Sequence, residues 1–197
     1  MQLSALVLAG GQSRRMGQDK ALLEINGVPM LQRVCAIARL CANPVYVVTP
    51  WIERYQAIVP PGCQLIRELS TLGDTDSHGP LMGFAQGLVQ VQTEWVLLLA
   101  CDLPFLKAEV LQTWAQQLEA ANPMAIAYLP RHPKGWDALC GFYRQDSLAG
   151  LQGFIESGGR SFQRWLAQHP VAELALENRQ MLLNCNTPAD LKRIGST

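Results

Sequence analysis

A glycine-rich and cationic loop near the start of the chain holds the residues best suited to bind phosphate. Residues 8 to 23 read LAGGQSRRMGQDKALL, directly after an apolar run. Gly10 and Gly11 have no Cβ, so the backbone can approach a ligand closely and direct N–H groups at anionic oxygens. The loop also carries three cations, Arg14, Arg15 and Lys20. The pattern predicts a strand, a bend and an anion-binding loop.

The spacing of this loop differs from the two common phosphate-binding motifs. A P-loop requires GxxxxGK followed by Ser or Thr, whereas Gly11 and Gly17 are six positions apart and Lys20 lies three positions further on. A dinucleotide fingerprint requires GxGxxG after the strand, which the chain also lacks. The sequence therefore favours neither a P-loop NTPase nor a dinucleotide-dependent hydride-transfer enzyme.

A single carboxylate follows the most hydrophobic run of the chain. The run WVLLLA leads directly into Cys101 and Asp102. Ligands of open parallel sheets collect beyond the carboxyl ends of the strands, which makes Asp102 a candidate for contact with ribose or metal. Mg²⁺ is often bound by one or two carboxylates together with substrate phosphates, so Asp102 is the predicted Mg²⁺ ligand. The structural alternative is an N-cap of the helix that follows.

Two amides, Asn184 and Asn186, follow a predicted short strand at Gln180 to Leu183. Amide side chains offer both donors and acceptors, which suits a heterocycle with mixed hydrogen-bonding edges such as a pterin. Thr187 and Pro188 then predict the start of a C-terminal helix. Three further cations could bind an acceptor phosphate, although isolated surface cations are usually only solvated. They are Arg131 and Lys134, in a predicted basic loop at Pro130 to Asp137, and Arg160.

The elements that must position these residues alternate along the chain. Strands are predicted at Leu3 to Ala9, Val45 to Thr49, Gln64 to Arg67, Glu94 to Ala100 and Met124 to Leu129, with helices between them. The alternation predicts a doubly wound α/β fold with a mostly parallel, Rossmann-like sheet and helices on both faces. One domain over residues 1–197 is expected. On the helix that starts at Gly79-Pro80, Gly83 and Gly87 share one face, which permits close approach to a sheet or a ligand.

Composition narrows the classes of function. Lys plus Arg and Asp plus Glu number 16 each, so no overall basic field favours nucleic acid. The longest apolar run, Trp95 to Cys101, is far shorter than a membrane span, and no basic segment precedes the first strand. We therefore expect a soluble cytoplasmic protein. The six cysteines never form CxxC and are expected to be reduced core residues.

The loop sequence LAGGxSxRMGxDKA resembles the signature of nucleotidyltransferases, and in particular of the molybdenum cofactor guanylyltransferase family. GPLMG, CDLPF and NCNTPADL match further motifs of that family in order and spacing. The resemblance implies transfer of GMP from GTP to the phosphate of molybdopterin, with release of pyrophosphate and with Mg²⁺ as cofactor. It also suggests direct handover of the labile product to a partner protein, although no surface patch identifies one.

The loop chemistry and the resemblance together assign roles to individual residues. The predicted nucleotide-binding residues are Leu8, Ala9, Gly10, Gly11, Lys20, Glu68 and Asp102. Arg15, Lys20 and Asp102 are the predicted catalytic residues, and Asn184 and Asn186 the predicted acceptor-binding residues. The chain departs from the family pattern at three places: Glu68 stands where Asp is usual, Thr49-Pro50 where Asn is frequent, and Asp137 where a His-Pro pair is frequent.

Three alternative functions remain open from the sequence. The first two are a cytidylyltransferase for the same cofactor and a sugar-phosphate nucleotidyltransferase, which would share the fold and the mechanism. The third is a non-catalytic nucleotide-binding regulatory module. Such a module would be expected to lack Lys20 or Asp102, and the chain has both.

Overall fold

The computed structural model describes residues 2–11, 18–69 and 79–185. Several predictions concern residues outside these ranges. They are the roles of Arg15 and Asn186 and the predicted helix that starts at Thr187.

Within the described ranges, eight strands form one sheet. They are β1 (Leu3–Leu8), β4 (Val45–Thr49), β5 (Cys63–Arg67), β6 (Trp95–Ala100), β7 (Ala127–His132), β8 (Gly135–Trp136), β9 (Cys140–Arg144) and β10 (Val171–Leu174). Their order across the sheet is β10-β7-β9-β6-β1-β4-β5, and β8 pairs with β7. A separate antiparallel hairpin consists of β2 (Glu24–Ile25) and β3 (Val28–Pro29).

Strand β1 lies between two parallel neighbours. Leu6 of β1 is in register with Tyr46 of β4 on one side and with Leu98 of β6 on the other. The chain leaves β1 towards β4 and β5 and later returns to the opposite edge of β1 with β6. The carboxyl ends of β1 and β6 therefore form a topological switch point, where open α/β sheets bind their ligands. Among the described strands on the path of the sheet, only β9 runs antiparallel to its neighbours, which confirms the predicted mostly parallel sheet.

Helices cover both faces of the sheet. They are α1 (Met30–Cys41), α2 (Ile52–Tyr55), α3 (Pro80–Leu88), α4 (Ala108–Gln117), α5 (Leu148–Glu156) and α6 (Phe162–Leu166). Along β1, Ala5 and Val7 belong to the core with α1 and α4, whereas Leu6 and Leu8 belong to the core with α3, α5 and α6. Burial on both faces explains why β1 and β6 are continuously apolar. The predicted doubly wound α/β fold is confirmed.

One predicted strand is wrong and another is displaced. Residues Arg179–Leu182 form a 3-10 helix in place of the strand expected at Gln180 to Leu183. The Asn178 side chain caps this helix by accepting a hydrogen bond from the N–H of Gln180 at 2.8 Å. The strand expected at Met124 to Leu129 begins only at Ala127, because the turn at Asn122 uses the N–H groups of Met124 and Ala125.

Strand β7 also continues further than expected, through Pro130 to His132, where a loop was predicted. Pro130 cannot donate a hydrogen bond, and Leu174 of β10 lies in register with it. Beyond Pro130, Arg131 and His132 pair with Trp136 and Gly135 of β8. The predicted basic loop is therefore a β-hairpin that projects beyond the main sheet.

The six cysteines are all free, and the predicted core placement is confirmed for three of them. Cys35, Cys140 and Cys185 are buried, and the remaining three are partly exposed.

In the part of the chain that the structure describes, no helix combines the length and the apolar character needed to cross a membrane.

Helix α3 packs closely on the sheet at Gly87. A Cβ built on Gly87 would lie 2.7 Å from Cγ2 of Val48 and 2.8 Å from Cδ2 of Leu6. Gly83, one turn earlier, faces the Glu68 carboxyl group instead, which a Cβ would approach to 3.3 Å. The two glycines thus allow two different close approaches, one to the sheet and one to Glu68.

Replacing Gly87 tests the tight packing of α3. Gly87→Ala is expected to lower the free energy of unfolding by about 1–3 kcal/mol, because the methyl group overpacks a core formed by two strands. Gly150→Ala in α5 is the matched control, since a Cβ there meets no atom within 4 Å. This control should gain up to about 1 kcal/mol from the helix propensity of alanine. Urea denaturation measures both, and equal effects of the two substitutions would contradict the packing argument.

Candidate active site

A cavity of about 220 Å³ lies at the carboxyl ends of β1 and β6. The structure brings together here every predicted site residue that lies in its described ranges. They are Leu8, Ala9, Gly10, Gly11, Lys20, Glu68, Asp102 and Asn184. Asp19, Tyr55 and the start of α3 also line the cavity. Residues from widely separated parts of the chain thus converge at the switch point.

The end of β1 is fixed by hydrogen bonds to β4. The N–H of Ala9 donates to the Val48 carbonyl at 2.9 Å, and the Thr49 hydroxyl donates to the Ala9 carbonyl at 3.0 Å. Thr49 is fully buried and also accepts a hydrogen bond from the N–H of Trp51 at 3.1 Å. Thr49, which departs from the family pattern, therefore holds the backbone just before Gly10 in place.

Lys20 and Asp102 form an ion pair inside the cavity. The Lys20 Nζ lies 3.3 Å from Oδ2 of Asp102, and the side chains are only 16% and 14% exposed. Burial raises the pKa of Asp102 above its ordinary value, and the Lys20 ammonium partly opposes that rise. The N–H of Cys185 donates to the Asp102 carbonyl at 3.0 Å, which places Asn184 beside the pair.

Glu68 occupies the opposite wall of the cavity. Its backbone N–H donates to the Thr49 carbonyl at 2.9 Å. Its carboxyl group lies against the Cα positions of Gly10 and Gly83, where any larger residue would contact it. Leu69, the residue after Glu68, is held on α3 because the Gln86 side-chain amide forms two hydrogen bonds with the Leu69 backbone, at 2.7 and 2.8 Å. Glycines at two positions therefore make room for this carboxylate.

Among the wall residues that the sequence did not predict are Asp19 and Tyr55, which are joined by a side-chain hydrogen bond. The Asp19 carboxylate accepts hydrogen bonds from the Tyr55 hydroxyl at 2.7 Å and the Arg54 guanidinium at 2.9 Å. It also caps the 3-10 helix at Lys20–Leu22 by accepting from the N–H of Ala21 at 3.1 Å. An Asp before a short helical segment is a recognisable N-cap signal. Nothing in the sequence indicates a contact to Tyr55, which lies 36 positions away.

A second cavity of about 480 Å³ adjoins the first and shares Pro80, Leu139 and Asn184 with it. The hairpin of β7 and β8 forms one wall through Trp136 and Asp137. The Gln163 side chain fixes this wall by accepting from the Trp136 N–H at 2.9 Å and donating to the Trp136 carbonyl at 2.7 Å.

The charged groups of the second cavity have partners within the protein. Asp137 forms an ion pair with Arg179. Of the three cations considered for an acceptor phosphate, Arg160 lines the cavity, and its guanidinium donates to the carbonyls of Ile155 and Gly159. Arg131 instead lies over the Trp136 ring, 4.8 Å from its centroid, and Lys134 is not part of the lining.

The donor set suits a cation that substrate phosphates help to bind. Among the described residues, no group of three or more His, Cys, Asp or Glu side chains could hold a metal ion by itself. Asp102 nevertheless offers a mostly buried carboxylate next to the glycine-rich backbone. One carboxylate with phosphate oxygens and water is a common ligand set for Mg²⁺.

Residues 5–173 match the model of the MobA-like NTP transferase domain. The chain belongs to this family. Membership of an NTP transferase family confirms the class of enzyme predicted from the sequence. The resemblance to molybdenum cofactor guanylyltransferases is confirmed as well, by the relatives described next.

Several relatives align with almost the whole chain. A probable molybdenum cofactor guanylyltransferase of Trichormus variabilis is 60% identical over 189 residues, which cover 96% of this chain and 88% of the relative. One of Synechococcus elongatus is 44% identical over 190 residues, with 96% of both chains covered. The solved structure of molybdopterin-guanine dinucleotide biosynthesis protein A from Archaeoglobus fulgidus has a TM-score of 0.79 at 23% identity. It covers 98% of this chain and 97% of that one, and it shares the fold.

Asp102 and Asp19, two mostly buried carboxylates of the first cavity, should respond differently to the same isosteric substitution. Because the pKa of Asp102 is raised in the folded protein, its ionised form reduces the free energy of unfolding at neutral pH. Asp102→Asn removes this charge and is therefore not expected to lower the free energy of unfolding. Asp19→Asn should lower it by about 1–3 kcal/mol, because the amide cannot accept all the hydrogen bonds that the carboxylate accepts. Urea denaturation at pH 7 measures both variants. A larger loss for Asp102→Asn than for Asp19→Asn would refute this ranking.

Proposed function

We propose that this chain transfers GMP from GTP to the phosphate of molybdopterin and releases pyrophosphate. One observation carries the proposal: the Lys20–Asp102 pair lies at the switch point, in a glycine-walled cavity that shares Asn184 with a second, adjoining cavity. Two adjoining cavities suit a reaction that joins two substrates. The names of the closely similar relatives supply the identities of the nucleotide and the acceptor.

In the proposed reaction an oxygen of the acceptor phosphate attacks the α-phosphorus of GTP. A new phosphorus–oxygen bond forms as the bond to the bridging oxygen of the β-phosphate breaks, and pyrophosphate leaves with the electron pair. Because little covalent chemistry is required of the protein, catalysis rests on positioning and on stabilising charge. No covalent intermediate with the enzyme is required.

The chain's own groups divide this work. The N–H groups at Gly10 and Gly11 orient the triphosphate, and Lys20 stabilises the negative charge that develops on the leaving pyrophosphate. Arg15 is proposed to share the role of Lys20, although it lies outside the described residues. Asp102 is the proposed ligand of Mg²⁺, which when bound would neutralise phosphate charge.

Glu68 is the proposed reader of the guanine base. Guanine presents two adjacent donors, its N1–H and its 2-amino group, and a carboxylate can accept from both. The position of the Glu68 carboxyl group, between Gly10 and Gly83 on the wall of the cavity, supports this assignment. Cytosine lacks this pair of adjacent donors, so the same carboxylate would disfavour CTP.

The second cavity is the proposed site of the acceptor. Asn184 belongs to both cavities and would contact the molybdopterin near the reacting phosphate, with Asn186 as a proposed second contact. Trp136 contributes an aromatic wall, which suits a flat heterocycle. Handover to a partner protein and a cytoplasmic location stay predictions.

The proposed activity is tested by incubating the protein with molybdopterin, Mg²⁺ and each of GTP, CTP, ATP and UTP in separate reactions. Pyrophosphate release and formation of the dinucleotide are measured. Turnover with GTP alone is expected, together with loss of turnover when a chelator removes Mg²⁺. A preference for CTP would overturn the base assignment. Nucleotide binding without turnover would instead favour another acceptor or a regulatory module.

Lys20→Ala is expected to lower kcat/KM for GTP at least about 100-fold, since it removes a charge aimed at the leaving group. Lys107→Ala, which removes an exposed cation at the start of α4, should behave like the wild type. Steady-state pyrophosphate release measures both variants. Unchanged turnover in folded Lys20→Ala would remove this residue from the mechanism.

Glu68→Gln should reduce the preference for GTP over the other nucleotides by about 10-fold or more, because an amide cannot accept both guanine donors. Glu173→Gln on β10, an exposed position, is the matched control. The ratio of kcat/KM for GTP to that for ITP, which lacks the 2-amino group, isolates the contact. A ratio that does not change would exclude Glu68 as the reader of this group.

A further inference from the structure

We propose that Asp19 and Tyr55 are positioning residues that hold Lys20 in the orientation needed for transfer. The inference rests on the proposed function, in which Lys20 acts on the leaving pyrophosphate. Neither Asp19 nor Tyr55 needs to touch the reacting atoms in this role. Both act through the backbone that carries Lys20.

The Asp19 carboxylate is fixed through both of its oxygens. Oδ1 accepts from the N–H of Ala21 at 3.1 Å and thereby caps the 3-10 helix that begins at Lys20. Oδ2 accepts from the Tyr55 hydroxyl at 2.7 Å and from the Arg54 guanidinium at 2.9 Å. Because Asp19 immediately precedes Lys20, these three hydrogen bonds define where the Lys20 side chain begins.

Tyr55 is a rigid donor to this carboxylate. Tyr55 is only 1% exposed, and its backbone carbonyl accepts hydrogen bonds from the N–H groups of Ile58 and Val59, both at 3.0 Å. Burial, together with the hydrogen bond to Asp19, raises the pKa of Tyr55, so the hydroxyl stays protonated throughout the physiological range. Arg54, by contrast, has a side chain that is 46% exposed, and its contact is therefore screened by solvent.

The resulting chain of contacts crosses the switch point from one side to the other. It runs from Tyr55 in α2, which follows β4, through Asp19 and Lys20 to Asp102 at the end of β6. A lysine has four flexible methylene groups, so its ammonium is placed well only if its backbone is fixed. Misplacement of a catalytic group by about 1 Å can cost up to about 100-fold in rate.

A direct role for Asp19 as a second metal ligand is the principal alternative. Its oxygens already accept three hydrogen bonds from the protein, which favours the structural use. The two roles differ in what Tyr55 contributes. A positioning network needs the tyrosine hydroxyl, and its effect must pass through Lys20.

The test is a double-mutant cycle between Tyr55→Phe and Lys20→Ala, with kcat and KM for GTP as readouts. Tyr55→Phe keeps the buried ring and removes only the hydroxyl. It is expected to lower kcat about 10-fold with KM within about two-fold, and to cause no further loss in the Lys20→Ala background. Tyr46→Phe is the control, because the hydroxyl of Tyr46 donates to the Gln90 carbonyl far from Lys20. Thermal unfolding verifies that every variant is folded.

Two kinetic outcomes would overturn the proposal. In the first, folded Tyr55→Phe turns over like the wild type. In the second, Tyr55→Phe causes its full loss even when Lys20 is already absent. Asp19→Asn provides a second variant that addresses the alternative role. If it raises the Mg²⁺ concentration needed for half-maximal rate while Tyr55→Phe does not, Asp19 acts on the metal and the positioning role fails.

A readout that does not depend on turnover separates this inference from the proposed function. The rate at which an amine-reactive reagent labels Lys20 is measured by mass spectrometry, with Lys107 as an internal reference. Tyr55→Phe should increase the labelling of Lys20 several-fold relative to Lys107, even if the wild type transfers no GMP. If the wild type transfers GMP and Tyr55→Phe matches it in both Lys20 labelling and kcat, the positioning role is overturned and the proposed function is not.

Discussion

The complete enclosure of β1 is the constraint on which the rest of the structure depends. Helices cover both faces of this strand, and parallel strands pair with both of its edges. The backbone at its carboxyl end can therefore move little, and Thr49 and Val48 hold the last residue before the glycines. The N–H groups at Gly10 and Gly11, which are proposed to bind phosphate, gain a rigid starting point from this enclosure.

The same enclosure determines the electrostatics of the first cavity. Asp102 leaves the neighbouring strand in a place where water is scarce, and its pKa is raised as a result. Lys20 offsets part of the cost of that buried charge, and each partner keeps the other inside the cavity. A partly buried pair is weak support for stability, but it keeps two opposite charges available for the phosphates and the cation of the proposed reaction.

The sequence predicted the architecture and most of the described cavity because both depend on local patterns. Continuous apolar runs indicated the buried strands, and residues at the ends of β1 and β6 were assigned to one edge of the sheet. Asp19 and Tyr55 were missed because their contact joins two parts of the chain through a side chain alone. The Gln180 to Leu183 strand was wrong because an Asn cap outweighed a short apolar pattern. Pro130 suggested a loop, but pairing with β10 and β8 extends the strand on both sides of it.

The antiparallel direction of β9 determines which residues lie between the two cavities. Because β9 runs against β6, it is the residues entering β9, Ala138 and Leu139, that reach the edge where β6 ends. The Leu139 carbonyl accepts a hydrogen bond from the N–H of Ala100 at 2.9 Å. Leu139 lines both cavities and lies on the boundary between them. The first cavity is thus built from strand ends whose geometry the core dictates, whereas the second also has a wall from a hairpin outside the core. Substitutions in the hairpin can therefore change the second cavity with less effect on the core than substitutions in the strand ends.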